Sequence, residues 1–321
     1  MDLIYMNPQR EDLGVMKDYS FDLAFGESEN DFECTVPRGN HCCGASFFLY
    51  VEGTEYGGII DGIKVDTKND EIKYLGRTWH GILESKIFEP DAGEDYLVLN
   101  GEGNEVLSFL VERMGLGGLF RVSSEDSGVT IKNYKMNRYI AGYNGIRKML
   151  KASGGKLHIS FNKGMVELSA VPLVDYTQDE QFDTDQMDFV IQKNFHPVNH
   201  VICLGKGELA EREVVHLYAD ASGNISEEQI FFGLDEVTET FIYPNAESTE
   251  ELTQGGIDII KESWNSNTVS FDFDAEASVY DIGDVVGAKE IVTGTEVDAD
   301  ITKKIVNIKG ETITIQYEVG E

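Results

Sequence analysis

Basic residues are scarce in this chain. Its 321 residues include 26 Lys and Arg against 58 Asp and Glu, so the formal net charge is −32. Such a surface repels the phosphate backbone, which argues against specific nucleic-acid binding. The acidic excess has two interpretations. It keeps a subunit of a dense assembly soluble, or it forms a pore wall over which DNA slides without sticking.

Proline and long apolar runs are also scarce. With 6 prolines, no stretch has the composition of a long flexible linker. No apolar run approaches the roughly 20 residues of a membrane helix, so no membrane span is expected. Acidic Asp2 stands where a signal peptide would be basic, so none is expected. The 33 glycines, 17 phenylalanines and 14 tyrosines instead indicate many short strands, tight turns and aromatic cores.

Cysteine is limited to four positions, of which three are clustered. Cys34, His41, Cys42 and Cys43 lie within ten positions and are weak candidates for a metal site. Their spacing matches no familiar zinc pattern, and adjacent cysteines in an extended strand point to opposite faces. We therefore expect free thiols, and neither a metal nor another cofactor.

Catalytic signatures are missing as well. His196 and His200 are four residues apart, but Pro197 lies between them and would break the helix of a zinc protease. There is no G-x-S-x-G motif, and the glycine-rich segment 115–119 lacks the Lys-Ser/Thr ending of a phosphate loop. In so acidic a chain, no carboxylate pair stands out as a glycosidase centre. The sequence predicts a protein that is not an enzyme.

Closely spaced strand patterns fill residues 1–100. The clearest is a hairpin in segment 57–90, with a first arm from Gly57, a polar turn at 67–70 and a second arm that ends at Trp79. Residues 19–25 alternate apolar and polar side chains, as a half-buried strand does. Such a series of short strands predicts a barrel or sandwich.

Residues 101–175 have a mixed pattern. Helical spacing over about 104–114 and 144–153 predicts two helices, with Asn104 and Asn144 as N-caps. A hairpin across 162–164 follows. The acidic segment 176–189 is the best candidate for a linker. Strand patterns resume over 190–321, around a helix at about 248–264, and end in a hairpin across 309–311.

Three segments together resemble the phage tail baseplate hub family, which includes the N-terminal structural part of tail-associated lysins. They are Gly57–Pro90, the LNGEG joint at Leu99–Gly103 and the YDIGDVVG…IVNIKGETITIQY tail at Tyr280–Tyr317. The resemblance implies a mainly β fold with α+β inserts, in which two tube-type antiparallel β-barrel domains, 1–100 and 190–321, flank a central α+β domain, 101–175. Two such domains per chain would give a homotrimeric ring pseudo-sixfold symmetry.

The same resemblance implies a structural role in the virion tail, after synthesis in the host cytoplasm. A hub ring joins the tail tube or distal tail protein to a spike or tip protein, and lets genome or tape-measure protein pass. Lysins of this family continue into a catalytic domain, whereas this sequence ends at Glu321, so a bare hub is expected. A receptor- or carbohydrate-binding tail-tip protein and a cell-wall-degrading enzyme remain alternatives.

Arg77 and Trp79 are the candidate structural or interface residues. Both lie at the end of the second hairpin arm, beside Gly76 and Gly81. We expect Trp79 to anchor the end of that strand in a barrel core or against the central domain. The sequence leaves open whether the tail is contractile and which face carries the acidic charge.

Overall fold

The computed structural model describes residues 1–177, 181–183, 189–246, 248–264, 268–271 and 280–320. The first region has short strands and one helix: β1 (Ile4–Met6), β2 (Asp12–Val15), β3 (Ser20–Gly26), β4 (Asn30–Pro37), β5 (Phe48–Tyr50), β6 (Gly57–Asp66), β7 (Glu71–Thr78), α1 (Trp79–Glu84) and β8 (Ile87–Phe88). The hairpin predicted in segment 57–90 is therefore confirmed, although its second arm ends one residue before Trp79, where α1 begins.

The central region combines strands with two helices. Its elements are β9 (Leu97–Glu102), α2 (Gly103–Arg113), β10 (Phe120–Val122), β11 (Thr130–Met136), β12 (Ile140–Ala141), α3 (Gly142–Lys151), β13 (Gly155–Asn162) and β14 (Met165–Pro172). Strands β13 and β14 pair from Gly155–Pro172 to Asn162–Met165, which confirms the predicted hairpin.

The last region has one long helix among its strands. Its elements are β15 (Gln181–Asp183), β16 (Phe189–Gln192), β17 (His200–Leu204), β18 (Val214–Ala219), β19 (Ile225–Ser226), β20 (Thr238–Ile242), α4 (Thr249–Trp264), β21 (Thr268–Phe271), β22 (Val285–Glu290), β23 (Thr295–Lys309) and β24 (Thr312–Gly320). The helix predicted at about 248–264 and the final hairpin are both confirmed.

One large sheet, the main sheet, joins the first and last regions. Its strand order is β16-β21-β24-β23-β3-β4-β7-β6-β5-β1-β2, with β22 paired to β23 and β15 paired to β22. The joint is antiparallel, and residues 303–309 of β23 lie opposite residues 20–26 of β3. The mainly β prediction is confirmed, but this sheet contains strands from both predicted barrel domains.

No sheet closes into a barrel in the part of the chain that the structure describes. Strand β23 is 15 residues long, and its two halves have different neighbours. Residues 295–300 pair with β22, whereas residues 303–309 pair with β3. The edges of β3 and β23 therefore pair with each other, which leaves an open sheet across the two regions. The division at 100, 175 and 190 stays a prediction, and most of the acidic segment 176–189 lies outside the described residues.

Three hydrophobic cores can be distinguished. The first lies under the main sheet and joins Phe21, Leu23 and Phe25 of β3 to Val306 and Ile308 of β23. The second core lies among the helices α1, α2 and α3 and the β13–β14 hairpin, so helices contribute more to it than to the first core. The third lies between α4 and the four-stranded sheet β19-β18-β17-β20. The insert within the last region thus includes a sheet as well as the predicted helix.

The predicted helix caps are wrong for both central helices. Glu102 caps α2 by accepting a hydrogen bond from the backbone of Glu105. Asn104 lies inside the first turn, where its side chain donates to the carbonyl of Glu125 and accepts from the backbone of Ala170. At α3, Glu84 of α1 accepts hydrogen bonds from both the backbone and the side chain of Asn144. Tertiary contacts therefore occupy the side chains of both asparagines, and Glu102 is the local cap of α2 instead.

Two glycines let the arms of the β6–β7 hairpin approach closely. A Cβ at Gly58 would lie 2.0 Å from the carbonyl oxygen of Arg77, and a Cβ at Gly76 would lie 2.0 Å from that of Ile59. A bulge between Ile60 and Gly62 follows this close contact. It re-aims the strand, as bulges do, and places Asp61 beside Arg77.

Candidate functional site

The side of the main sheet opposite its core is polar, and we call it the polar face. It follows from strict alternation, because side chains next to the buried ones point the other way. Its residues include Ser20, Asp22, Asp31, Glu33, Thr35, Glu71, Lys73, Arg77, Lys303, Asn307, Thr314, Gln316 and Glu318, which are exposed or half-buried except for Lys303 at 9% exposure. Mixed charges on a continuous sheet surface suit contact with water.

Side-chain contacts on the polar face connect β23 to β3 and to the turn that follows β3. Asn307 donates a hydrogen bond to Asp22 on the neighbouring strand. Lys303 of β23 crosses the joint to pair with Glu29, in the turn after β3, at 2.7 Å, and it also pairs with Glu318 of the adjacent strand β24 at 3.2 Å. Opposite charges across neighbouring strands each add a fraction of a kcal/mol, and here they favour the register that joins the two regions.

Arg77 lies on the polar face and holds the bulge of β6. Its guanidinium makes two 2.8 Å contacts with the carboxylate of Asp61, and donates a third hydrogen bond to Ser85 at 3.1 Å. This hydrogen-bonded pairing lowers the pKa of Asp61. Both side chains are about 40% exposed, so the pair contributes local order more than stability.

Trp79 points the opposite way, into the second core. It has no exposed surface and stacks on Phe161, with ring centroids 5.4 Å apart and planes 11° apart. Phe48 of β5 lies on it at 6.2 Å. Trp79 therefore connects the end of the hairpin to the β13–β14 hairpin of the central region.

A buried ionic junction lies where the three regions meet. Lys304 of β23 is 1% exposed, and its ammonium lies 2.7 Å from Glu55 and 3.4 Å from Asp281. Lys156 of β13 lies 3.0 Å from Asp281 and 2.7 Å from the fully buried Asp284. Each of these charges has a partner of opposite sign, as buried ions require.

The electrostatics of the junction follow from this pairing. Burial by itself would lower the pKa of Lys304, but Glu55 and Asp281 raise it above its usual value. Burial likewise would raise the pKa of Asp281, yet Lys304 and Lys156 hold it below its usual range. The nearby carboxylates also raise the pKa of Lys156, so Lys304, Lys156 and Asp281 remain charged around neutral pH.

His80 of α1 is the neutral member of the junction. Its ring stacks on Phe25 at 4.4 Å with planes 1° apart, and its Nε2 lies 3.6 Å from Glu55. Burial, with the nearby charges of Lys304 and Arg147, lowers the pKa of His80 to about 3. Its Nδ1 is buried without a hydrogen-bond partner among the described residues.

Charge is unevenly distributed along the chain, and several cations of the central region pair with acids of the other two regions. Residues 101–175 contain ten Lys and Arg against seven Asp and Glu, although the whole chain is strongly acidic. Four of these cations pair with acids outside the central region: Arg113 with Asp91, Arg147 with Glu27, Lys151 with Asp300, and Lys156 with the pair Asp281 and Asp284. The central region therefore provides positive charge to its acidic neighbours.

The cysteine cluster forms no metal cage. Residues 42 and 43 lie in a loop, not in the extended strand assumed from the sequence, and their sulfurs are 3.7 Å apart. The Tyr74 hydroxyl accepts hydrogen bonds from both of their backbone amides and lies 2.9 Å from Nδ1 of His41. In the part of the chain that is described, no three His, Cys, Asp or Glu side chains are arranged to hold a metal, and all four thiols are free.

Sequence reasoning missed the ionic junction. The signal was present in β23, where Lys304 shares the alternation of Val306 and Ile308 and must therefore face the core. Its partners Glu55 and Asp281 are 249 and 23 residues away along the chain. No local pattern could have linked them.

Known proteins resemble this chain in fold but not in sequence. No protein-family model and no curated protein matches the sequence. Among solved structures, the 43 kDa tail protein of prophage MuSo2 from Shewanella oneidensis aligns at a TM-score of 0.58 and 8% identity, over 99% of this chain and 98% of that one. The chain has the fold of a phage tail protein.

Two further tail proteins share this fold over nearly their full lengths. A tail protein from Neisseria meningitidis MC58 aligns at a TM-score of 0.54 and 9% identity, over 100% of this chain and 96% of that one. Prophage tail protein gp18 from Listeria monocytogenes EGD-e aligns at 0.53 and 11% identity, over 100% and 94%. Among the described residues, no helix has the length and apolarity to cross a bilayer.

Replacing Trp79 tests how much the packing of the first region against the central region contributes to stability. Trp79→Ala should lower the free energy of unfolding by about 3–5 kcal/mol, because it leaves a cavity between Phe48 and Phe161. Trp79→Phe keeps a stacking ring and removes a buried Nε1 that has no hydrogen-bond partner among the described residues, so it should cost less. Urea unfolding measures both. Unchanged stability in Trp79→Ala would contradict the anchoring role.

His80 makes stability depend on pH in a defined direction. Its folded pKa lies below its unfolded value of about 6.5, so its contribution is complete above pH 6.5 and is lost as pH falls. Between pH 7.5 and 5.0, wild type should lose about 2 kcal/mol more than His80→Phe, which keeps a ring on Phe25 but cannot titrate. Urea unfolding at each pH gives the comparison. Equal losses of unfolding free energy in wild type and His80→Phe would contradict the role of His80.

Proposed function

We propose that this protein is a structural hub of a phage or phage-like tail baseplate. Three copies form a ring that joins the hexameric tail tube, or a distal tail protein, to a trimeric spike or tip. The ring encloses part of the channel for genome or tape-measure passage, and the protein resides in the virion tail. It acts through assembly, without catalysis or a cofactor.

The pairing of β3 with β23 is the observation that carries this proposal. It fuses strands from both ends of the chain into one sheet, with a core on one side and the polar face on the other. Two tube-type β units side by side in each chain would offer a hexameric tube six similar units from three subunits. The fold shared with phage tail proteins over nearly their whole lengths supports the same role.

The open sheet also has an edge suited to a neighbouring subunit. Strand β5 pairs with β6 at residues 57–59, and no described strand pairs with that side of β6 from Asp61 onward. Ile63 and Val65 lie on this free part, at 51% and 52% exposure. Exposed apolar residues on a strand edge invite pairing, so a ring would cover them with a second copy of the chain.

The polar face is the surface we assign to the channel. It is continuous across the β3–β23 joint, and its carboxylates include Asp22, Asp31, Glu33, Glu71 and Glu318. A three-copy ring would repeat this set three times. Phosphate groups of a passing genome would find few unpaired cations on it, so contacts that require counterion release would be weak.

The stoichiometry can be tested by mass. Light scattering of hub complexes released from intact tails should give three copies of the 35.8 kDa chain. Ile63→Lys with Val65→Lys should abolish the trimer and leave the fold intact, because charged residues on an edge block strand pairing. Val292→Lys is the control. Val292 is 92% exposed in a turn, so this variant should assemble normally. Six copies per particle, or a trimer unaffected by the edge variant, would contradict the ring.

The channel assignment can be tested by reversing charge on the polar face. Phage carrying Asp31→Lys and Glu71→Lys should eject DNA more slowly at low salt, because the new cations hold phosphate. Ejection should recover at 1 M salt, where the screening length falls to roughly 3 Å. Asp126→Lys, on a loop of the central region, is the matched control. Equal ejection rates in all three phages at every salt concentration would assign the polar face to neighbour contacts instead.

A further inference from the structure

Two histidines form a hydrogen-bonded pair on the face of the four-stranded sheet that points away from helix α4. His200 lies on β17 and His216 on the neighbouring strand β18, two positions away from Tyr218, the residue directly opposite His200 in register. Nε2 of His200 lies 2.9 Å from Nδ1 of His216. Tyr218 stacks on His200 at 4.3 Å, and its hydroxyl lies 3.5 Å from the same Nδ1 of His216.

A carboxylate sets the orientation of the first ring. Nδ1 of His200 lies 2.7 Å from Glu236, and 3.1 Å from the hydroxyl of Thr238. Since a carboxylate only accepts, it favours the tautomer of His200 that donates from Nδ1 and keeps a lone pair on Nε2. His216 is then the donor in the contact between the rings. A carboxylate that accepts from Nδ1–H and leaves Nε2 unprotonated is the arrangement that orients histidines toward metals.

We propose that Nε2 of His200 and Nδ1 of His216 bind one divalent transition-metal ion, such as Zn²⁺ or Cu²⁺. The ion would take the place of the proton between the rings, and His216 would carry its proton on Nε2 instead, so that no net proton is released. Metal–nitrogen bonds of about 2.0–2.1 Å at a tetrahedral angle need nitrogens roughly 3.3 Å apart, a small opening from 2.9 Å.

The surroundings allow this opening. His200 is 7% exposed and fixed by Glu236, whereas His216 is exposed and can turn toward a shared ion. Water can reach the remaining coordination positions from the His216 side, next to the Tyr218 hydroxyl. The ion would link β17, β18 and the turn before β20, and so would stabilise the third core. This inference is independent of the proposed hub role.

The test uses the full-length chain without a histidine tag. Titration with ZnCl₂, followed by calorimetry and by melting temperature, should show one site per chain and a higher melting temperature, because an ion that binds the folded state stabilises it. His216→Ala should weaken binding at least tenfold. Glu236→Gln should weaken it by about 10- to 100-fold, as loss of a partner that orients a ligand does.

Surface carboxylates of so acidic a chain also bind cations, so a second measurement identifies the ligands. With one equivalent of Cu²⁺, the electron paramagnetic resonance spectrum of wild type should show coupling to two ring nitrogens. The coupling should fall to one nitrogen in His216→Ala and persist in His196→Ala, the control for an exposed histidine elsewhere. Zn²⁺ binding of equal strength in wild type and His216→Ala, or a Cu²⁺ spectrum without two-nitrogen coupling, would overturn the proposal.

Discussion

The ammonium of Lys304, buried between Glu55 and Asp281, is the interaction on which the rest of this structure depends. Removing an ammonium from water costs several kcal/mol unless partners of opposite charge surround it. Those partners come from the loop before β6 and from the segment before β22, and Lys156 of the central region shares Asp281. The three regions must therefore fold together, because each holds a charge that the others need.

The same residue fixes the register of β23 in the main sheet. Lys303 faces the polar side and Lys304 the core, so a slip of one residue would leave Lys303 buried without partners and carry Lys304 into water. Both hydrophobic alternation and charge pairing thus specify how β23 meets β3. That pairing turns two sets of strands into one continuous sheet, and the proposed ring, its edge contacts and its channel surface all follow from it.

The charged residues have two roles, ion pairing between the regions and repulsion at the exposed surface. Arg147, Lys151 and Lys156 use the surplus positive charge of the central region to pair with acids of the terminal regions. Much of the remaining acid stays on exposed surface, where it keeps neighbouring copies and other anions apart unless specific contacts intervene. A few shape-specific contacts, such as the free edge at Ile63 and Val65, would then select the partners of the subunit.

The sequence by itself determined the local elements. Period-two alternation and turn residues located the hairpins at β6–β7, β13–β14 and β23–β24, and helical spacing located α2, α3 and α4, because these signals lie within a few residues of one another. Tertiary structure alone decided the hydrogen bonds of Asn104 and Asn144, the β3–β23 joint, the ionic junction at Lys304 and the pairing of His200 with His216. Each of these depends on groups that are distant in sequence, and their free energy comes from burial and pairing that exist only once the chain has folded.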